Sequence, residues 1–157
     1  MAFFGKSKDK TPTSKRLPAG LPPGQIFAVN WAKTERGKFP RLADLDPEES
    51  GLTGAEGIYV VWHTGVRPEW VYIGKTKDMA AAMHGLARNE DVMYYDKYGG
   101  LYVTWTLIGE SYQDGILAFL NTKLKPVVDS PDVPEAETVA PISVIPPGMN
   151  APSPGNT

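Results

Sequence analysis

The sequence predicts an α+β domain, in which a small antiparallel sheet is flanked by helices and both chain ends are disordered tails. Two observations favour this class. Short apolar runs rich in β-branched and aromatic residues alternate with stretches in which apolar residues have helical spacing. Proline, glycine and serine gather at the two ends of the 157-residue chain, where too few apolar residues remain to form a core.

Composition divides the chain into three parts. Residues 1–24 contain five cations, one carboxylate and four prolines, which predicts a basic flexible tail. Residues 129–157 contain four carboxylates, no cation and seven prolines, which predicts an acidic, proline-rich disordered tail. Residues 25–128 are long enough to bury one hydrophobic core and are predicted to form a single domain.

Three runs predict the core strands of the sheet. Gly57–His63 is almost entirely apolar, which indicates a central strand. Residues 69–73 follow after a short loop and are predicted to pair with it in antiparallel fashion. Residues 101–108 alternate between apolar and polar side chains and predict the third strand. Residues 25–32 place Phe27, Val29 and Trp31 on one face, so the sheet is predicted to have three core strands with or without this added N-terminal strand.

Two helices are predicted between and after these strands. The first spans about residues 78–88, with Asp78 as its N-cap and with a buried stripe formed by Met79, Met83 and Leu86. The second begins at a shortened capping-box pattern, Ser111 with Asp114, and stops before Pro126. Its predicted buried face is formed by Ile116, Phe119, Leu120 and Leu124.

Two tripeptides on the first two core strands carry a resemblance to a known family. Gly57-Ile58-Tyr59 and Tyr72-Ile73-Gly74, followed by a helix, a strand and a helix, resemble the signature of the GIY-YIG nucleases. The resemblance covers about residues 56–129. It implies a three-stranded antiparallel sheet flanked by helices, and hydrolysis of DNA phosphodiesters with a divalent metal, Mg²⁺ or Mn²⁺.

The resemblance assigns roles to particular positions. Tyr59 and Tyr72 fill the two tyrosine positions of the catalytic site, and Gly57 and Gly74 fill the glycine positions, where the family needs a close backbone approach. In that family an arginine on the first helix stabilises charge on the phosphate, and a glutamate on the second helix holds the metal. Spacing places these two positions at Ala82 and Leu117, both apolar.

The loss of both charged positions leads to two hypotheses. In the first, packing has replaced the metal and phosphate site, the tyrosines remain as packing of the sheet, and the domain is a degenerate, non-catalytic module for binding or scaffolding. In the second, the domain is an active endonuclease that uses substitute residues. Lys75 or Arg88 would then contact the phosphate, and Glu110, Asp114 or another carboxylate would bind Mg²⁺ or Mn²⁺.

Charge and aromatic content favour a protein partner. The net charge of the chain is −2, whereas DNA-binding surfaces are usually basic, so DNA is a possible partner that the charge does not favour. A group of aromatic side chains around Lys97 is typical either of a small core or of a protein-binding patch, and we favour the patch; its members are Tyr94, Tyr95, Tyr98 and Tyr102.

Other features exclude or disfavour several classes of site and location. The chain has no apolar run of 18 residues and no apolar stretch after its N-terminal lysines, which predicts a cytoplasmic protein without a membrane span. The absence of cysteine excludes disulfides and thiolate metal sites. The two histidines, His63 and His84, lack ligand spacing, so no resident metal site is predicted, and each is expected to be a surface or boundary residue.

Overall fold

A computed structural model describes residues 25–149 as a mixed α+β domain with a three-stranded antiparallel sheet. The strands are β1 (Gly57–His63), β2 (Glu69–Thr76) and β3 (Tyr102–Leu107), in the order β2-β1-β3. The helices are α1 (Met79–Ala87), α2 (Glu90–Met93) and α3 (Glu110–Leu124), with 3₁₀ turns at Leu42–Asp44 and Tyr94–Lys97. The predicted fold class and the central place of β1 are confirmed, and the predicted tail residues 1–24 and 150–157 lie outside the described residues.

The sheet is covered on both faces, which explains why all seven residues of β1 are buried. One face, called here the tyrosine face, carries Tyr59 and Tyr72 and packs against α1. The opposite face carries Ile58 and Ile73 and packs against α3. The sheet therefore separates two apolar clusters, and the face on which a side chain lies decides which of the two helices it can reach.

Helix α1 begins and packs as its sequence predicts. The Asp78 side chain accepts a hydrogen bond from the Ala81 backbone N–H (3.3 Å), so it caps the helix N-terminus. The predicted stripe is buried on the tyrosine face and comprises Met79, Met83 and Leu86.

Helix α3 begins at Glu110, one residue before the predicted N-cap Ser111. Gly109 is the N-cap and makes no side-chain hydrogen bond, so the predicted capping box of Ser111 with Asp114 is wrong. Glu110 is accordingly the first residue of the helix rather than a residue before it. The helix ends where Lys125 adopts a left-handed conformation (φ 53°) ahead of Pro126, which cannot continue the helix.

The predicted N-terminal strand at residues 25–32 is wrong, because the segment is extended but forms no strand. Its backbone is divided between two neighbours. Ala32 N–H donates to the Trp105 carbonyl of β3 (2.9 Å), whereas Phe27 N–H donates to the Ser143 carbonyl (2.8 Å). A segment that changes partners along its length cannot form the continuous ladder of a strand, although Phe27, Val29 and Trp31 do pack together against the opposite face.

The acidic tail predicted from residue 129 begins too early, because residues 129–149 pack on the domain. Ile142 and Val144 are buried in the opposite-face cluster. Ile142 N–H donates to the Gly115 carbonyl of α3 (2.9 Å), and Trp31 Nε1–H donates to the Ile145 carbonyl (2.7 Å). A Cβ atom at Gly115 would lie 2.7 Å from the Ile142 side chain, so the glycine inside α3 admits this segment.

Candidate functional site

The two tyrosines of the paired tripeptides lie side by side on the tyrosine face. Their ring centroids are 6.3 Å apart and the rings are tilted by 31°. The register between β1 and β2 shifts after Val61, because Val61 pairs with Tyr72 and Trp62 pairs with Trp70. Because of this bulge, Tyr72 lies on the same face of the sheet as Tyr59. Both side chains are more than nine-tenths buried.

The two glycines of the tripeptides lie where a side chain has no room. Gly74 pairs with Tyr59 across the β1–β2 ladder, and a Cβ atom there would strike the Tyr59 hydroxyl end and lie 2.9 Å from Asp132 Oδ2. Gly57 pairs with Leu107 of β3, and a Cβ atom there would strike the Thr106 carbonyl oxygen. Both positions therefore need the close approach that was expected of them.

Charged side chains gather beside Gly74, at the end of β2. Lys75 Nζ donates a hydrogen bond to Asp114 Oδ1 of α3 (2.8 Å), and the Lys75 backbone N–H donates to Asp132 Oδ2 (3.1 Å). The hydrogen bond to Asp114 raises the pKa of Lys75, and the nearby charges of Asp114, Asp132 and Glu110 raise it further. The positive charge of Lys75 is thus already balanced by carboxylates of the same chain.

Asp132 is the residue of this site that the sequence did not indicate. It lies in the segment after α3, whose proline content predicted disorder. Val127 and Val128 hold that segment on the outer edge of β2 by donating to the carbonyls of Trp70 and Val71, at 3.0 Å each. Further along the same strand edge, the Asp132 carboxylate accepts a hydrogen bond from the Lys75 backbone N–H.

The surroundings of Tyr59 keep its hydroxyl protonated. Burial raises the pKa of Tyr59 well above that of a free tyrosine, and the neighbouring Tyr72 and Asp132 raise it further. A phenol that acts as a general base must first lose its proton, and each of these three influences opposes that loss. Tyr59 is therefore suited to packing and to hydrogen-bond donation.

We expect Tyr59 to resist ionisation in an alkaline titration of the folded protein. Phenolate absorbance near the ordinary tyrosine pKa of about 10 should be the same for wild type and Tyr59→Phe. Tyr94→Phe is the matched control, because Lys97 lowers the pKa of the exposed Tyr94 and its removal should delete a titrating group. A lost titration step in Tyr59→Phe while the chain stays folded would contradict the expectation.

The same raised pKa gives stability a pH dependence of defined sign. The unfolded chain ionises Tyr59 near pH 10 and the folded chain does not, so the contribution is complete below that pH and declines as the pH rises above it. Chemical denaturation across this range should show a steeper alkaline loss of stability in wild type than in Tyr59→Phe.

The remaining residues singled out from the sequence lie in three different places. Ala82 of α1 is half-buried and packs against the tyrosine-face cluster. Leu117 of α3 is fully buried in the opposite-face cluster, so the sheet separates it from Tyr59 and Tyr72. Arg88 is exposed at the C-terminal end of α1, about 15 Å along the helix from Asp78.

The carboxylates at this site do not fit a divalent metal as they stand. Within residues 25–149, no three histidine, aspartate or glutamate side chains are grouped so that they could hold a metal ion. Asp114 is bound to the Lys75 ammonium and Asp132 to the Lys75 backbone N–H. Mg²⁺ and Mn²⁺ require several oxygen ligands around one point, and one oxygen of each of these two carboxylates is already engaged with Lys75. We assign no chemical step to a metal ion here.

His63 was expected at the surface or boundary, and that prediction is wrong. Its side chain is 2% exposed, and Nε2 lies 2.9 Å from Glu69 Oε1. Its ring stacks on Tyr95 and Tyr98, at centroid distances of 6.2 and 5.0 Å. No local signal marks a histidine that is buried by aromatic rings from a distant turn. The prediction holds for His84, which is exposed and hydrogen-bonded to Glu48.

Within the described part of the chain, no helix has the length and apolar character needed to cross a bilayer.

Comparisons with known proteins found no relative of this chain. No protein-family model, no curated protein and no solved structure matches the chain.

Proposed function

We propose that this chain is a degenerate GIY-YIG nuclease-like domain that serves as a non-catalytic binding or scaffolding module. The ordered pair Gly57-Ile58-Tyr59 and Tyr72-Ile73-Gly74 supports the family, because the two tripeptides lie on adjacent strands with their tyrosines on one face. The order of elements that follows, two helices, a strand and a long helix, also agrees with it.

One observation carries the non-catalytic part of the proposal, namely that the Asp132 carboxylate of this chain lies beside the tyrosine pair. Its carboxylate lies at Gly74 beside the Tyr59 hydroxyl and accepts the Lys75 backbone N–H. A phosphodiester is an anion, so a fixed carboxylate at that position repels it. Lys75, the nearest cation, is paired with Asp114, and the helix position expected to hold an arginine is the hydrocarbon Ala82.

An active endonuclease is the second candidate, and the same cluster gives it some support. Asp114, Asp132 and Glu110 lie near the Lys75 ammonium, and Asp132 also lies near Tyr59. Catalysis by this set would require Mg²⁺ or Mn²⁺ as cofactor and a rearrangement that brings the carboxylates together around it, because within residues 25–149 no three of them are grouped to hold a metal ion.

Cleavage of supercoiled and branched DNA in the presence of Mg²⁺ or Mn²⁺ distinguishes the two candidates. We expect wild type to cut no more than Tyr59→Phe/Tyr72→Phe, a variant that keeps both rings in the core and removes both hydroxyls. Equal background in the two proteins supports the module. Cutting by wild type that the double variant loses would reject the non-catalytic proposal and establish substitute catalytic residues.

The partner of such a module is proposed to be a protein in the cytoplasm. Tyr94 and Tyr98 are 56% and 38% exposed, and the Lys97 ammonium lies 3.8 Å from the Tyr94 ring centroid. Exposed tyrosines beside a cation are enriched in protein interfaces. The net charge of −2 supplies no general attraction for the phosphates of DNA.

A further inference from the structure

A pocket of about 780 Å³ opens on the side of the sheet away from the tyrosine pair. Three of its lining residues are aromatic, namely Phe39, Trp62 and Tyr102. All three pack with the opposite-face cluster, and Trp62 stacks on Tyr102 (5.9 Å) and meets Phe39 edge-on (5.1 Å). This volume is typical of sites that take a small molecule or a few residues of a peptide.

The pocket lining includes three cations within residues 36–41, called here the cationic wall: Arg36, Lys38 and Arg41. A tight turn presents the first two, since Thr34 N–H donates to the Lys38 carbonyl (2.7 Å) and Gly37 has φ 77°. Arg41 is held in place by a hydrogen bond from Nη1 to the Gly99 carbonyl (2.9 Å), and its guanidinium carbon lies 4.9 Å from the Tyr102 ring centroid. The guanidinium of Arg41 has five N–H donors in a planar fork, and this contact uses one of them.

The lining also includes three carboxylates within residues 44–49, called here the acidic wall: Asp44, Asp46 and Glu49. Asp46 Oδ1 accepts a hydrogen bond from the Glu49 backbone N–H (3.1 Å), which fixes the turn that presents both side chains. Among the ion pairs found in residues 25–149, none involves a charged group of either wall. Two sets of opposite charge therefore line the same pocket without forming ion pairs with each other.

We propose that this pocket binds an extended peptide segment that carries one acidic and one basic side chain separated by apolar residues. The acidic side chain would meet Arg36 and Lys38, and the basic one would meet Asp44, Asp46 and Glu49. The residues between them would pack on the aromatic lining. A ligand of one charge sign would be repelled by one of the walls, whereas a mixed segment satisfies both. The inference rests on the proposed function and specifies the chemistry of its partner.

Short capped peptides test this assignment on the full chain by calorimetry. The probes are Asp-Phe-Phe-Lys, Asp-Phe-Phe-Asp and Lys-Phe-Phe-Lys, each acetylated and amidated so that only the side chains are charged. Versions with one and three phenylalanines allow for the separation of the walls. The mixed peptide should bind about tenfold more tightly than either peptide of single sign.

Two neutralising variants should redirect this preference in opposite directions. Arg36→Gln/Lys38→Gln removes most of the cationic wall and should favour Lys-Phe-Phe-Lys. Asp44→Asn/Asp46→Asn/Glu49→Gln removes the acidic wall and should favour Asp-Phe-Phe-Asp; asparagine at position 46 keeps an oxygen for the turn. Arg88→Gln, which removes an exposed cation that does not line the pocket, is the control and should leave the preference unchanged.

Equal binding of the three peptides, no binding, or a preference that the wall variants do not redirect would overturn the inference. Binding of adenosine monophosphate without binding of the mixed peptide would overturn it as well, and would assign the pocket to nucleotides. None of these outcomes bears on DNA cleavage, because Tyr59 and Tyr72 lie on the other side of the sheet. Conversely, cleavage that depends on the tyrosines would reject the proposed function whatever the pocket binds.

Discussion

Replacing Ile142 with alanine is expected to lower the free energy of unfolding by about 3 kcal/mol, the usual loss when a large aliphatic side chain is removed from a core. Ile142 is 3% exposed and packs in the opposite-face cluster. Its side chain lies against the backbone of Gly115, where rigid neighbours cannot collapse into the space that the substitution leaves. Urea denaturation followed by circular dichroism measures the change.

Val127→Ala is the matched control, since Val127 belongs to the same segment after α3 but is 42% exposed. Its effect should stay within about 0.5 kcal/mol. If residues 129–149 were a disordered tail, as their composition predicts, Ile142→Ala would also have an effect of that size. The pair of variants therefore decides whether the segment belongs to the core. Equal midpoints for the two would show that it does not.

The local elements of this fold could be predicted because each rests on residues close together in the chain. Alternating apolar residues define β3, and the continuous apolar run of β1 marks it as central. Asp78 and the stripe that follows it define α1. The strand predicted at residues 25–32 is wrong because the backbone partners of this segment are distant in the chain. One of them is Ser143.

The course of residues 129–149 could not be predicted, because nothing local distinguishes this segment from a disordered one. Its prolines and carboxylates are typical of a chain that cannot fold alone. It is ordered by groups elsewhere: the free edge of β2, the gap at Gly115, and the indole N–H of Trp31. These partners exist only once the sheet and α3 have assembled.

The candidate site was also predicted only where its residues are identified by local sequence. The tyrosines and glycines of the two tripeptides were found because they occupy fixed positions on adjacent strands. Asp132 was missed because it reaches Tyr59 through the segment after α3. Sequence spacing identified the position of Leu117 in the chain but not the face of the sheet against which it packs. Leu117 packs in the opposite-face cluster with Ile58 and Ile73, and not with the tyrosines.

Gly57→Ala is expected to destabilise the fold by about 3 kcal/mol, at the upper end of the usual cost of overpacking a core. A methyl group there would strike the Thr106 carbonyl oxygen and lie 3.0 Å from Leu107 Cα. Both atoms are backbone of the neighbouring strand, so no side chain can rotate away to relieve the contact. Relief requires β1 and β3 to separate at the point where Gly57 and Leu107 pair.

Gly85→Ala makes the same chemical change where a Cβ atom meets nothing within 4 Å. In the interior of α1 it should stabilise the protein by up to about 1 kcal/mol, since alanine favours helix more than glycine does. Opposite signs for the two substitutions would show that the first glycine of Gly57-Ile58-Tyr59 is required by strand packing alone. The tripeptide could then persist in a chain that cuts nothing, because the pairing of β1 with β3 needs its glycine irrespective of chemistry at Tyr59. Similar small effects at both positions would remove that explanation and leave the tripeptide to be accounted for by what Tyr59 does.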